Sequence, residues 1–481
     1  MIQFRPILLA LGLMVCLVAV AMLVPMAVDY ADSHSSGLVF AVSALVTFFI
    51  GGLMVLFAYD RRPVTAGLRE GFLLTTLTWT IISAFAAMPF IGLGLPLADA
   101  YFEAVSALTA TGGTVMVKLD SQPRGILLWR ALLQGIGAVG IIVLAILVLP
   151  SLRIGGMQLF QAESSDRSEK VMPRAFGLMS AITAIFAILL VACTFTFMLL
   201  GMTPFDAICH ALATVSTGGF STHDASFGYF NSPALDWAAV VFMISGALPF
   251  VVYIKAMRGG GLHMWRDAQV RGLAWLLLVT SLIMAMYLVL VRDLPFHDAF
   301  RLATFNVVSI VTTTGFVNTD YTTWGPFAIG VFFLLMFVGG CSGSTAGGIK
   351  IYRLQVAWLL TRGHLQHLIS PNRIVTLLYN GRRLPEDVPF SVVAFLALYM
   401  ATIGMFTVVL AAMGLDLLTA LSSAAAAVSN VGPGLGDIVG PAGTFATLPD
   451  GAKWVLSFAM LLGRLELFTV LVLFRPEFWR S

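Results

Sequence analysis

Four short stretches decide how this chain reads: Thr109-Ala110-Thr111-Gly112-Gly113, Val215-Ser216-Thr217-Gly218-Gly219, Thr312-Thr313-Thr314-Gly315-Phe316 and Ser429-Asn430-Val431-Gly432-Pro433. Each ends a short apolar segment (about 99–110, 205–216, 297–313 and 417–430) and is followed by a longer one. Taking the first glycine of each as reference, the stretches lie 106, 97 and 117 residues apart. One plan repeated at such a period means duplicated supersecondary units packed around a common axis.

The surroundings are those of a membrane protein. Of 481 residues 59% are hydrophobic and 11% charged, with mean hydropathy +0.94, whereas soluble domains carry roughly 25% charged residues. Stretches of about 20 apolar residues can cross a bilayer, and ten qualify: about 7–28, 38–58, 71–93, 126–150, 177–201, 236–254, 273–292, 326–349, 389–413 and 452–474. The first is too long for a signal-peptide core and lacks an A-x-A cleavage site, so it reads as a retained helix. With the N-terminus in the cytoplasm, twenty of the 27 Lys and Arg fall in cytoplasmic segments and six on or near the outer side. Arg464 is left inside a span. The positive-inside rule therefore requires the four short segments to dip in and return on the outer side. Cys16, Cys193, Cys209 and Cys341 show no paired spacing and suggest neither disulfides nor a zinc site.

The repeated stretches have the chemistry of a cation filter. An ion that sheds water needs replacement oxygens, which backbone carbonyls supply at uniform spacing. Aligning those carbonyls takes backbone angles that glycine adopts at little cost. A short helix before each stretch aims its negative C-terminal end inward, favouring a cation. Irregular backbone at membrane depth is tolerated where it lines a cavity or is buried in protein. A single such glycine is more often a helix-packing residue; four in register, all on the outer face, favour the filter.

Ser216-Thr-Gly-Gly-Phe-Ser-Thr222, Thr312-Thr-Thr-Gly-Phe316 and Asn430-Val-Gly-Pro-Gly434 resemble filters of the Trk/Ktr/HKT family of cation transporters. Gly339-Gly-Cys-Ser-Gly-Ser-Thr-Ala-Gly-Gly-Ile-Lys350 resembles that family's broken third inner helix, and Gly155-Gly-Met-Gln-Leu-Phe160 a loop of its TrkH branch. The extra hairpin at about 7–58 also favours TrkH over the shorter KtrB. Three features depart from the family pattern: Ala110 stands where a hydroxyl residue is usual, Gly113 stands where Ala is common, and Gln134-Gly-Ile-Gly-Ala-Val-Gly140 replaces a Gly-Gly-Met-Gly-like run.

The resemblance implies an all-α membrane protein with four helix–pore-helix–filter–helix repeats around a central pore, after an N-terminal hairpin. The expected division is 1–70 (hairpin and loop), 71–175, 176–272, 273–388 and 389–481 (repeats 1 to 4). The implied potassium-binding residues are Ala110, Thr111, Gly112, Ser216, Thr217, Gly218, Thr313, Thr314, Gly315, Asn430, Val431 and Gly432. Glycine in all four filters favours potassium over the sodium-preferring members with serine in the first. The implied gate is a loop beneath the filter, Gly343, Ser344, Thr345, Ala346, Gly347 and Gly348, with Arg464. Potassium is the transported substrate, and no cofactor is expected on this chain. Implied partners are a second copy in a homodimer, the lipid bilayer and a TrkA-like cytosolic nucleotide-binding subunit, but no nucleic acid. The expected location is the bacterial inner membrane, with both termini cytoplasmic.

The residues support parts of this independently. Five glycines within 339–348 destabilise a helix by about 1 kcal/mol each, so a flexible loop is expected there. Gly343–Lys350 is superficially similar to a phosphate loop, but it lacks the G-K-[ST] ending and follows no strand. Arg464 is costly inside a membrane and should face a cavity or partner; it reads as a positive plug, or alternatively as a partner of Glu466 or of loop carbonyls. Asp99 and Glu103 could attract cations, although Asp99 could equally cap its helix; Asp206 and His210 read as packing or capping groups. The basic segment at about 350–388 could bind anionic lipid or dock a regulator. No paired metal spacing or catalytic constellation is present, so an enzyme is not expected. The rival readings are a KtrB-like sodium-dependent transporter and a secondary transporter with inverted repeats, which predicts paired repeats of opposite orientation.

Overall fold

The computed structural model describes residues 3–60, 67–147, 171–259, 263–372, 376–385 and 387–480. The loop Gly155–Phe160, the basic residues Arg61, Arg62, Arg153, Arg167, Lys170 and Arg373, and the end of the span expected at 126–150 lie outside them. Among the described residues, seven helices are long and apolar enough to cross a membrane: Phe4–Ala31, Ser36–Ala58, Arg69–Gly92, Arg124–Ile142, Gly177–Leu199, Ala268–Arg292 and Asp387–Ala412. The strands described are two short ones, Leu378–Tyr379 and Arg382–Arg383, paired antiparallel in the segment after helix Ile351–Ile369.

Three of the ten expected spans are not continuous helices. Pro233–Ala247 and Phe250–Met257 meet at 93°, and Asp450–Arg464 and Leu467–Phe474 at 110°. The stretch expected at 326–349 is helical only over Pro326–Leu335, and helix resumes at Ile351–Ile369. Each break has a local cause. Pro249 has no N–H to donate and its ring opposes a straight helix. Glu466 holds φ +58°, the left-handed region, which ends a right-handed helix. In the third case the glycines of 339–348 make helix unfavourable.

The four short segments are helices, Leu97–Leu108, Pro204–Val215, Phe296–Val311 and Leu417–Ser429, and their C-terminal halves are almost wholly buried. Ala424, Ala425 and Ala426 are 0% exposed, small side chains that let neighbouring backbones approach. Thr203 caps the second helix through Asp206 N, and Asp416 caps the fourth through Thr419 N. The N-terminal hairpin is fastened to this assembly by Asp29, which accepts from Ser36 Oγ at 2.5 Å and from Gly125 N at 2.6 Å.

A basic side chain, buried in three of the four cases, ties each seam between successive units. Arg130 donates to Ser221 O at 3.0 Å across the first seam, while pairing with Glu103 at 2.7 Å within its own unit. Arg301 meets Asp236 at 2.5 Å across the second, and Arg353 meets Glu466 at 2.5 Å across the third. Lys453 meets Asp99 across the fourth, closing the circle. Asp99 and Glu103 are therefore structural anions and not free cation attractors. Removing one member of a buried pair strands the other, at about 3–5 kcal/mol. Arg130→Met should lower the thermal midpoint of the detergent-solubilised protein by that equivalent, whereas Arg130→Met with Glu103→Leu should cost less than the single change. Equal losses from the two would disprove the buried pairing.

Candidate functional site: four filters above an internal loop

Each pore helix unwinds the same way. The N–H groups of Thr111, Gly218, Thr314 and Val431 donate five residues back, to Ser106, Ala213, Ser309 and Ala426, at 2.9, 2.8, 2.8 and 3.0 Å. The residue before each is left-handed although not glycine: Ala110 (φ +51°), Thr217 (+52°), Thr313 (+57°) and Asn430 (+55°). The residue after each is a left-handed glycine: Gly112 (+88°), Gly219 (+74°), Gly315 (+80°) and Gly432 (+102°). This corrects the register expected for the second filter by one residue. Gly219, not Gly218, corresponds to Gly112, Gly315 and Gly432; Ser216 caps the pore helix, as Thr109 and Thr312 do.

In this register the four stretches close a ring. A Cβ added at Gly112 would stand 2.3 Å from Gly218 O, and at Gly219 1.8 Å from Thr314 O. At Gly315 it would stand 2.2 Å from Val431 O, and at Gly432 2.7 Å from Thr111 O. Each glycine thus receives the carbonyl of the next repeat, and the last returns to the first. Glycine is required at these four positions on two counts, the backbone angle and the absence of a side chain. The ring sits at the C-terminal, negative ends of four pore helices. A cavity of about 300 Å³ opens above it, bounded by Gly113, Lys118, Gly219, Asp224, Gly315 and Pro433 among others.

Beneath the ring lies the 339–350 segment. Thr345 is fully buried; its hydroxyl lies 2.9 Å from Gly246 O and 3.2 Å from the Thr217 hydroxyl. Gly347 N donates to Thr313 Oγ1 at 2.7 Å. Cys341 N donates to Ala247 O at 2.9 Å and Phe250 N to Gly343 O at 3.0 Å, so the helix break at Pro249 gives its unmatched groups to the loop. Ser344, Ala346 and Gly348 line a cavity of only about 40 Å³, together with Lys350, Arg464 and Glu466. That is room for about three waters. The loop expected to be flexible is packed and hydrogen-bonded from several sides in this conformation. Arg464 Nη1 donates to Thr345 O at 2.8 Å, the loop-carbonyl alternative, while Glu466 pairs with Arg353 instead.

Asp206 and His210 have packing roles. His210 is buried, with Nδ1 donating to Asp206 O at 2.8 Å and Nε2 hydrogen-bonded to Ser221 Oγ at 2.9 Å. Sequence reading missed His223, which joins the loops that follow the first and second filters. Its Nδ1 lies 2.5 Å from Asp120 Oδ1, its Nε2 3.6 Å from Asp206 Oδ1, and its ring stacks on Tyr229. Gln134, Arg130 and Arg353 were also missed as partners, since each acts on residues distant in sequence.

Four pseudo-equivalent re-entrant filters from one chain define the protein as a membrane pore with a single central path. Residues 39–481 match the TrkH family, whose description is cation transport protein, and the chain belongs to that family. It is 45% identical to "Trk system potassium uptake protein TrkI" of Halomonas elongata, covering 100% of this chain and 98% of the relative. It is 40% identical to "Trk system potassium uptake protein TrkH" of Vibrio parahaemolyticus, covering both chains fully. The crystal structure of the potassium transporter TrkH from Vibrio parahaemolyticus superposes with a TM-score of 0.92 at 37% identity, covering 100% of both chains.

The register predicts unequal effects of neighbouring glycines. Gly219→Ala drives a Cβ into backbone and demands a left-handed alanine, costing at least about 2 kcal/mol. At Gly218 the three atoms nearest an added Cβ all belong to the Gln134 side chain, and the backbone is not left-handed. Thermal midpoints should therefore fall further for Gly219→Ala; the reverse order would refute the corrected register.

The His223 cluster predicts a pH dependence. Burial lowers the His223 pKa, but the Asp206 carboxylate and the Asp120 carboxylate, which accepts from Nδ1, together outweigh it, and the net shift is upward. The His223 hydrogen bond leads the causes that hold Asp120 below its usual value. The histidine's contribution is complete below its ordinary pKa of about 6.5 and disappears as pH rises through the raised value. The carboxylate's is present above about 3.9 and disappears as pH falls through the depressed one. The midpoint difference between wild type and His223→Gln should peak between those limits and shrink as pH rises through the raised histidine value; a difference that does not vary with pH would count against the pairing.

Proposed function

We propose that this chain takes up potassium across the bacterial inner membrane as the TrkH-like membrane subunit of a Trk system. The observation that carries the reading is the closed ring in which four glycines receive four carbonyls, in a family whose similar members are named for potassium uptake. Potassium loses water at the ring, and carbonyls of Ala110, Thr111, Gly112, Thr217, Gly218, Gly219, Thr313, Thr314, Gly315, Asn430, Val431 and Gly432 replace it. Glycine at all four ring positions favours potassium over sodium.

The 343–348 loop and Arg464 form the gate. A guanidinium bonded to the loop beneath the filter repels an arriving cation, and the ion passes inward when the loop withdraws. The units are 71–175, 176–272, 273–388 and 389–481, behind the 1–70 hairpin, with both termini in the cytoplasm. The working form is a homodimer bound to a TrkA-like cytosolic nucleotide-binding subunit. Helix Ile351–Ile369 supports such docking, since Trp358, Leu368 and Ile369 are 65, 63 and 82% exposed at its surface.

Rubidium uptake in a bacterium lacking its own potassium-uptake systems tests the proposal. Excess potassium should block uptake and excess sodium should barely affect it, while Gly315→Ser should lose flux or admit sodium. If uptake stays absent with a TrkA-type partner supplied, or Gly315→Ser behaves as wild type, the reading fails.

A further inference from the structure

Gln134 lies on the first repeat's inner helix, Arg124–Leu147, and is 0% exposed. Its Nε2 donates to Gly218 O at 2.6 Å, and its Oε1 accepts from Phe220 N at 3.4 Å. Gly218 occupies the register position of Thr111, Thr314 and Val431, so its carbonyl is one of the four in the ring. Among the described residues it is the one ring carbonyl that also takes a side-chain hydrogen bond.

The second filter is also the one with no side chain at that position. Thr111 and Thr314 use the space for hydroxyls, 2.7 Å from the Thr109 hydroxyl and 2.8 Å from the Thr312 hydroxyl. At Gly218 the space is taken: an added Cβ would stand 2.5 Å from the amide carbon of Gln134 and 2.7 Å from its nitrogen. Ser216 turns its own hydroxyl back to Ala213 O at 3.2 Å.

We propose that Gln134 is a positioning residue that sets the ion discrimination of the second filter, its amide standing in for the side chain the other three filters carry and pinning the Gly218 carbonyl in the ring. The inference rests on the four-filter reading above. A carbonyl oxygen has two lone pairs; here one faces the amide and the other remains for the ion. The bond stiffens this oxygen against moving inward and reduces its pull on a small cation. Whether selectivity follows fit or field strength, loss of the amide favours the smaller ion.

The test is rubidium uptake with potassium and sodium competition, on Gln134→Leu, Gly315→Ser and the double variant Gln134→Ala with Gly218→Ser, each checked for folding by its thermal midpoint. Gln134→Leu should let sodium compete about tenfold better, the scale of one lost hydrogen bond, and should raise KM for rubidium more than it changes maximal uptake. The backbone of Gly218 lies outside the left-handed region, so a serine fits once the amide is gone. The double variant should recover discrimination that Gln134→Leu loses, a rescue that a merely space-filling glutamine would not show. Wild-type discrimination in Gln134→Leu, with Gly315→Ser altered, overturns this inference and leaves the filter standing. Unaltered Gly315→Ser overturns the filter reading itself. If Gln134→Leu is folded but inactive, recovery of selective uptake in the double variant supports the proposal, and its failure refutes it.

Discussion

The carbonyls of Thr111, Gly218, Thr314 and Val431 each lean on the bare Cα of a glycine in the preceding repeat, closely enough that a methyl group would collide. Most of the fold is arranged around that contact. Four pore helices must end at one height with their C-termini converging, which demands small, apolar, buried residues along their length. Four inner helices must hold the stretches from behind, and four basic side chains, three of them buried, fasten the seams so that the circle closes at one diameter. Burying charges so deeply is expensive unless each is paired, and here Glu103, Asp236, Glu466 and Asp99 supply the partners.

The inner helices face a second demand, to keep the stretches in place while leaving a path below. The second, third and fourth break at depth, and the breaks answer one another. Groups freed beside Pro249 are taken by Cys341 and Gly343, and Arg464, just before the last break, takes the carbonyl of Thr345. Unmatched backbone at membrane depth is tolerated because it is matched by other unmatched backbone. The loop is therefore held by the ends of two helices and by the hydroxyls of Thr217 and Thr313.

Much of this was legible in the sequence. Apolar length showed the spans, and the charge bias showed that four segments re-enter. The glycine doublet Gly218-Gly219 misled, because two adjacent glycines leave open which takes the left-handed angle, and the structure chose the second. Pro249 signals a break inside a run whose apolar length alone reads as one span, whereas Glu466 carries no sequence signal for its backbone angle. Charged residues were visible but their partners were not: Arg130 reaches a residue 91 positions away and Arg353 one 113 away. Such pairings follow from the packing of whole repeats, which local pattern does not specify.

Because the four quarters belong to one polypeptide, they need not stay alike. In an assembly of identical subunits, any change at the axis appears four times, and a bulky loop or a buried guanidinium would meet its own copies there. This chain places one non-helical loop in its third quarter, one buried arginine in its fourth and one amide behind its second, while Ala110 in the first offers the loop no hydroxyl. Gene duplication with divergence thus supplies something exact symmetry forbids: a ring that serves the ion almost equally from all sides while its supports specialise one at a time.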